Sequence, residues 1–116
     1  MSELTVTKLI NQDVQLCKAW VHFNGSGTVA IDASYNVSSI TDNGTGNYTL
    51  NFATAMVDAN YSWSGSALHT TTSIVGTHAN ALNDIISTTQ LQTHTIHMTA
   101  GTSVDSANIT LQVFGN

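Results

Sequence analysis

The stretch from Lys18 to Phe52, KAWVHFNGSGTVAIDASYNVSSITDNGTGNYTLNF, leaves few folds open. Three runs in it alternate apolar with polar residues: Ala19 to Phe23, Val29 to Val37, and Tyr48 to Phe52. Two turn clusters separate them, Asn24-Gly25-Ser26-Gly27 and Asp42-Asn43-Gly44-Thr45-Gly46. A period of two is the signature of a strand, because successive side chains leave its backbone on opposite faces. Asn-Gly between such runs predicts hairpins, since both residues tolerate the positive φ of tight turns.

The rest of the chain continues the pattern. Strands are expected at about 17–23, 28–38, 47–53 and 59–65, and again at about 90–98 and 106–114. In the last, Ala107, Ile109, Leu111 and Val113 alternate with Asn108, Thr110 and Gln112. In the one before, Leu91 is out of phase with Ile96 and Met98, which predicts a bulge or a shifted face. Leu68 to Thr77 blurs, and Ala79 to Ile86 reads as one helical turn or a strand. No helix-period stretch separates the strands, so the reading is all-β, an antiparallel β-sandwich of jelly-roll or immunoglobulin-like type. Residues 1–16 read as an N-terminal arm and connector, and residues 17–116 as one sandwich domain. In the arm, Leu4 and Val6 alternate with Thr5 and Thr7, with Leu9 and Ile10 following. Such an arm pairs within its own domain or adds to a neighbour's sheet edge.

Composition narrows the function classes. Only 8% of residues are charged, so the polar surface is built from Ser, Thr, Asn and Gln, which suits strands better than helices. The formal charge is −5, and the only basic residues are Lys8 and Lys18. That argues against nucleic-acid binding, which needs clustered Lys or Arg. No apolar run approaches a membrane span, and Met1-Ser2-Glu3-Leu4-Thr5 lacks the basic start and apolar run of a secretion signal. Asn-x-Ser/Thr triplets at Asn24, Asn36, Asn47 and Asn60 are then expected by chance. Cys17 has no intramolecular partner and reads as a small buried residue.

Candidate chemistry is sparse. His22, His69, His78, His94 and His97 are the ligand candidates, but His94 and His97 fall on opposite faces of a strand. No Cys or carboxylate completes a zinc set, so no metal or other cofactor is expected. The acids are scattered, and Asp42, Asp58 and Asp105 sit in turn contexts. Neither a carboxylate pair nor a framed serine nucleophile emerges, so the chain reads as non-enzymatic. Trp20 and His22 share one face of their strand, Ala19, Val21 and Phe23 the other. Tyr61 and Trp63 share a face opposite Ser62 and Ser64. These aromatics are either core or a patch for subunit contact or sugar stacking. Candidate interface or arm contacts are Leu4, Val6, Leu9, Ile10, Trp20, Tyr61 and Trp63. Small size and few charges suggest an oligomer.

The chain also resembles a module near the C-terminus of tail-fibre and related virion surface proteins of tailed bacteriophages, notably those of marine and freshwater bacteria. The matching pieces are Lys18-Ala19-Trp20-Val21 with Phe23-Asn24-Gly25, then Val37 to Gly46, Tyr48-Thr49 and Asn51-Phe52. Ala55-Met56 and Asp58 to Tyr61 continue the match, and Asp105-Ser106-Ala107 and Val113-Phe114-Gly115 follow in outline. Asp32 departs from the family's usual basic residue, and Val57 from its frequent proline. The resemblance implies a homotrimeric structural protein of the virion, assembled in the bacterial cytoplasm, that touches other virion proteins and a host-surface glycan or protein receptor. Because the module starts at residue 18, close behind Met1, a capsid decoration (cement) or head-fibre protein held by its arm is the alternative. Outward contacts are expected from residues 67–89.

Overall fold

The computed structural model describes residues 16–68, 75–78, 84–97 and 101–115. Leu4, Val6, Leu9 and Ile10 of the expected arm lie outside the described residues, as do His69 and Met98. Eight strands follow in order: β1 (Cys17–Asn24), β2 (Ala30–Tyr35), β3 (Val37–Gly44), β4 (Asn47–Phe52), β5 (Ser62–Leu68), β6 (Val75–His78), β7 (Gln90–His97) and β8 (Asn108–Phe114). Among the described residues no helix is long and apolar enough to cross a membrane.

Every strand pairing is antiparallel, in the order β2-β1-β8-β5-β6-β7-β4-β3. One layer is β2-β1-β8-β5 and the other is β7-β4-β3. Short β6 joins them, pairing with β7 from Val75↔His97 to His78↔His94 but with β5 only at Ala67↔Val75. The fold is thus an all-β antiparallel sandwich, and the expected fold class holds. Alternation decides what goes inside. Ala19, Val21 and Phe23 of β1 and Ile109, Leu111 and Val113 of β8 face Tyr48, Leu50 and Phe52 of β4. Phe23 and Tyr48 meet edge to face, as do Phe52 and Tyr61.

The expected strand over 28–38 is in fact two strands. Asn36 takes φ 57°, a left-handed conformation that Asn tolerates better than most residues, and it turns the chain from one layer into the other. Its amide donates to the Lys18 and Thr54 carbonyls at 3.0 and 3.1 Å, while its side-chain oxygen accepts from Thr54 N at 2.7 Å. β2 and β3 therefore form the two outer edges of the sandwich, joined through a single residue. β3 also runs on through Asp42-Asn43-Gly44, which the sequence marks as turn. The reversal itself is confined to Thr45 and Gly46, between the pair Gly44↔Asn47.

β7 carries no bulge. Its pairing with β4 and β6 is continuous from Gln90 to His97. Leu91, Thr93 and Thr95 hold the core side, and Ile96 lies in the opposite phase. The core face here is polar in sequence, with threonines where apolar residues were expected. Register shifts occur instead in β1 and β3, including one between Cys17 and Ala19. That shift takes Cys17 out of the alternation and leaves it half-buried, contrary to the buried residue expected, its thiol 3.2 Å from the Ala19 carbonyl.

One end of the sandwich is knotted by hydrogen bonds between distant turns. The buried Tyr48 hydroxyl lies 2.9 Å from both the Asp105 carboxylate and the Gly25 carbonyl. Gly46 N donates to the same carboxylate oxygen at 2.8 Å, and Gly25 N to the Ser106 carbonyl at 2.8 Å. Both glycines are required. A Cβ on Gly25 would sit 2.6 Å from the Tyr48 ring, and Gly46 combines φ 63° with backbone atoms of Thr95 and Val104 packed against it.

Candidate functional site

The outer face of the β2-β1-β8-β5 layer gathers the exposed aromatics. Register aligns Tyr35, Trp20, Gln112 and Ser64 in one row across four strands. The next row is Ala33, His22, Thr110 and Ser66. Phe114, in phase with Gln112, lies beyond the first row between Ser62 and Cys17. Of the chain's two tryptophans, three tyrosines and three phenylalanines, Phe23, Tyr48, Phe52 and Tyr61 are buried and Trp63 packs against the core. The remaining three are Trp20, Tyr35 and Phe114, exposed by 38, 57 and 43%. All lie at the same end of the same face. Two observations place them there in physical terms. β2 is exposed along its whole length, so Tyr35 has no second layer over it. Trp20 and Phe114 occupy the polar phase of strands whose other phase fills the core.

A groove of about 390 Å³ adjoins this end, at the Asn36 corner. Lys18, Tyr35 and Asn36 line one part, and residues 54–57 the rest. Tyr35 thus belongs both to the aromatic row and to the groove wall. Val57 is 77% exposed there.

The polar groups of the face are mostly uncharged. Ser64 Oγ donates to Gln112 Oε1 at 3.3 Å, and the Ser66 and Thr110 hydroxyls are 2.9 Å apart. His22 Nε2 is 3.1 Å from Asn108 Oδ1 and 3.9 Å from the Asp32 carboxylate. Such a surface offers flat rings, hydroxyls and amides, suited to binding a neutral polar molecule by stacking and hydrogen bonds.

The other candidates are dispersed. Tyr61 is buried, its hydroxyl donating to the Ser87 carbonyl at 2.9 Å, with Gln90 O at 3.2 Å. Burial raises its pKa above the ordinary value. Trp63 faces inward on β5 with Gly65 and Ala67. Of the candidate contact residues on described positions, only Trp20 is thus on the surface. Tyr35, Phe114 and Gln112 were missed. The signal for Phe114 was present, an aromatic in the polar phase of β8. His94 is buried with Asp84, Nε2 to Oδ2 at 3.0 Å, and His97 stands on the opposite face of β7. Among the described residues no three His, Cys, Asp or Glu side chains converge as metal ligands. Among the described residues of 67–89, Leu68, Ile85, Ile86 and Thr89 are exposed.

No protein family model, no curated protein and no solved structure matches this chain.

Proposed function

We propose that the chain is a non-enzymatic surface module of a bacteriophage virion, of tail-fibre type, which assembles as a homotrimer and contacts a receptor on the host cell. The observation that carries this reading is the knot at the end of the sandwich. The pieces that resemble the phage module are scattered from Gly25 to Ser106 in sequence. They meet in space as Gly25, Gly46, Tyr48, Asp105 and Ser106. In this reading the resemblance is one of framework, in which turns are locked so that the faces outside can vary. The uncharged, aromatic outer face supports a contact role, since exposed aromatics on a rigid sheet are favoured at recognition surfaces.

The test pairs two measurements on the full chain. Light scattering gives the oligomer mass, with a trimer expected. Fluorescently labelled protein is then mixed with a panel of marine and freshwater bacteria, and adsorption to a subset of strains is expected. A monomer that adsorbs to no strain would overturn the reading.

A further inference from the structure

We infer that the aromatic end of the outer face, Trp20, Tyr35 and Phe114 with the groove beside Tyr35, is a binding site for a neutral saccharide. The inference deepens the receptor-contact reading and rests on it for its biological setting. Its chemistry is independent.

Three observations carry it. The first is segregation: the only aromatics outside the core are gathered at one end of one face. Trp20 and Tyr35 are direct cross-strand partners, so the rings issue from adjacent points on a paired, rigid ladder. No ring–ring contact joins them, unlike the two edge-to-face pairs of the core, and both reach the surface, Trp20 38% and Tyr35 57% exposed. A sugar presents axial C–H groups on one side of its ring, and an exposed aromatic face satisfies these without losing hydrogen bonds.

The second is what surrounds the rings. Across the row from Trp20 stand Gln112 and Ser64, neutral groups that both donate and accept. Apart from Ala33, the two rows carry hydroxyl, amide and imidazole groups beside the rings. These groups match the hydrogen-bonding needs of a hydroxyl-rich ligand.

The third is shape and charge. The adjoining groove of about 390 Å³ is the size of a small-ligand site and extends the flat face into a concave end. Among the described residues Lys18 is the one cation lining it, and the chain has no arginine to clamp an acidic group. With a formal charge of −5, an acidic polysaccharide is repelled. Neutral hexose or N-acetylhexosamine chains are the class that fits.

The test uses the full chain and isothermal titration calorimetry with cellohexaose, maltohexaose, mannohexaose, xylohexaose and chitohexaose, and with hexagalacturonate as the acidic control. At least one neutral oligosaccharide is expected to bind, and hexagalacturonate is not. Trp20→Ala and Tyr35→Ala each weaken binding about tenfold or more. Thr45→Ala, at the hairpin of the other layer, leaves it unchanged. If Trp20→Ala does not fold, Tyr35→Ala on the fully exposed strand carries the same test. Absence of binding to every neutral chain, or binding untouched by Tyr35→Ala, overturns the site. So does a Tyr35→Ala variant that turns an oligomer into monomers while no oligosaccharide binds, because the face is then an interface between copies. Cell adsorption separates the two readings. Adsorption that survives Tyr35→Ala while no oligosaccharide binds sinks this site and spares the receptor role. Oligosaccharide binding without adsorption to any strain spares the site and sinks the role.

Discussion

Tyr48, with its ring in the centre of the core, delivers its hydroxyl to Asp105 Oδ1 at 2.9 Å, across 57 residues of sequence. The same oxygen accepts from Gly46 N, so one carboxylate holds both β4 and the hairpin that precedes it.

Tyr48→Phe keeps the ring and its contact with Phe23, but removes the single hydroxyl proton shared between the Gly25 carbonyl and Asp105 Oδ1. A loss of about 2 kcal/mol is expected, in the range for hydrogen bonds to charged groups. Asp105→Ala should cost a similar amount. The double variant should cost clearly less than the sum, because the two share one network. Urea denaturation of the four proteins checks this, and strict additivity would refute the coupling.

Alkaline pH acts on the same residue. Burial first, and then the hydrogen bond and charge of Asp105, push the Tyr48 hydroxyl well above its ordinary value of about 10. Tyr61 is raised by burial as well. Below pH ~10 both tyrosines are neutral in the folded and unfolded chains, and nothing is lost. Above it the unfolded chain ionises first, so the folded state binds more protons and stability falls as pH rises. The slope approaches about 1.4 kcal/mol per pH unit for Tyr48, and Tyr61 adds in the same direction. The expected result is a stability that steepens downward above pH ~10, with a slope reduced in Tyr48→Phe. Equal slopes for the two proteins would show that Tyr48 titrates freely.

Much of this architecture was legible from period-two patterns, and the failures have identifiable causes. Ala19, Val21 and Phe23 against Trp20 and His22 read correctly because one phase is wholly small or apolar. β3 was read as turn at Asp42-Asn43-Gly44 because an edge strand with little buried has no apolar phase to reveal it. β7 misled for the opposite reason: its core face is held by Thr93 and Thr95, so the apolar Ile96 marks the wrong side. Four-residue β6 is too short to announce a period. Tyr35 was hidden because nothing in the sequence says that β2 lacks a covering layer. The Tyr48–Asp105 bond joins distant turns, and no local pattern encodes such a pairing.

Gly27 and Gly46 should respond unequally to alanine. Gly27 has φ 64° and open space around its missing Cβ, so Gly27→Ala carries only the conformational strain, about 1 kcal/mol. Gly46 has nearly the same φ, but a Cβ there would lie 2.6 Å from the Thr95 carbonyl oxygen and 2.8 Å from Val104 N. Backbone cannot move aside cheaply, and Gly46→Ala must also shift the amide that binds Asp105. A cost of at least ~3 kcal/mol is expected, from strain and overpacking together. Thermal unfolding of the two variants side by side tests the ranking, and equal melting temperatures would sink it.

The Asp84–His94 pair gives the last prediction. Residues 84–89 fold back on the start of β7, with Gln92 N donating to the Ile85 carbonyl at 2.7 Å and Ile86 bridging Leu91. This brings Asp84 to 3.0 Å from His94 Nε2, with both side chains 8% exposed. Breaking one side of a buried pair strands the other group away from water, which is costlier than the pair's own net worth. Asp84→Ala and His94→Ala should therefore each destabilise the fold, and the double variant by clearly less than their sum. Because solvent is excluded, the coupling should persist in high salt, where a surface pair would fade within a short Debye length. A cycle measured by urea denaturation at low and high sodium chloride checks both points. A coupling that vanishes with salt would mean that the pair is open to water and that the 84–89 segment does not seal it.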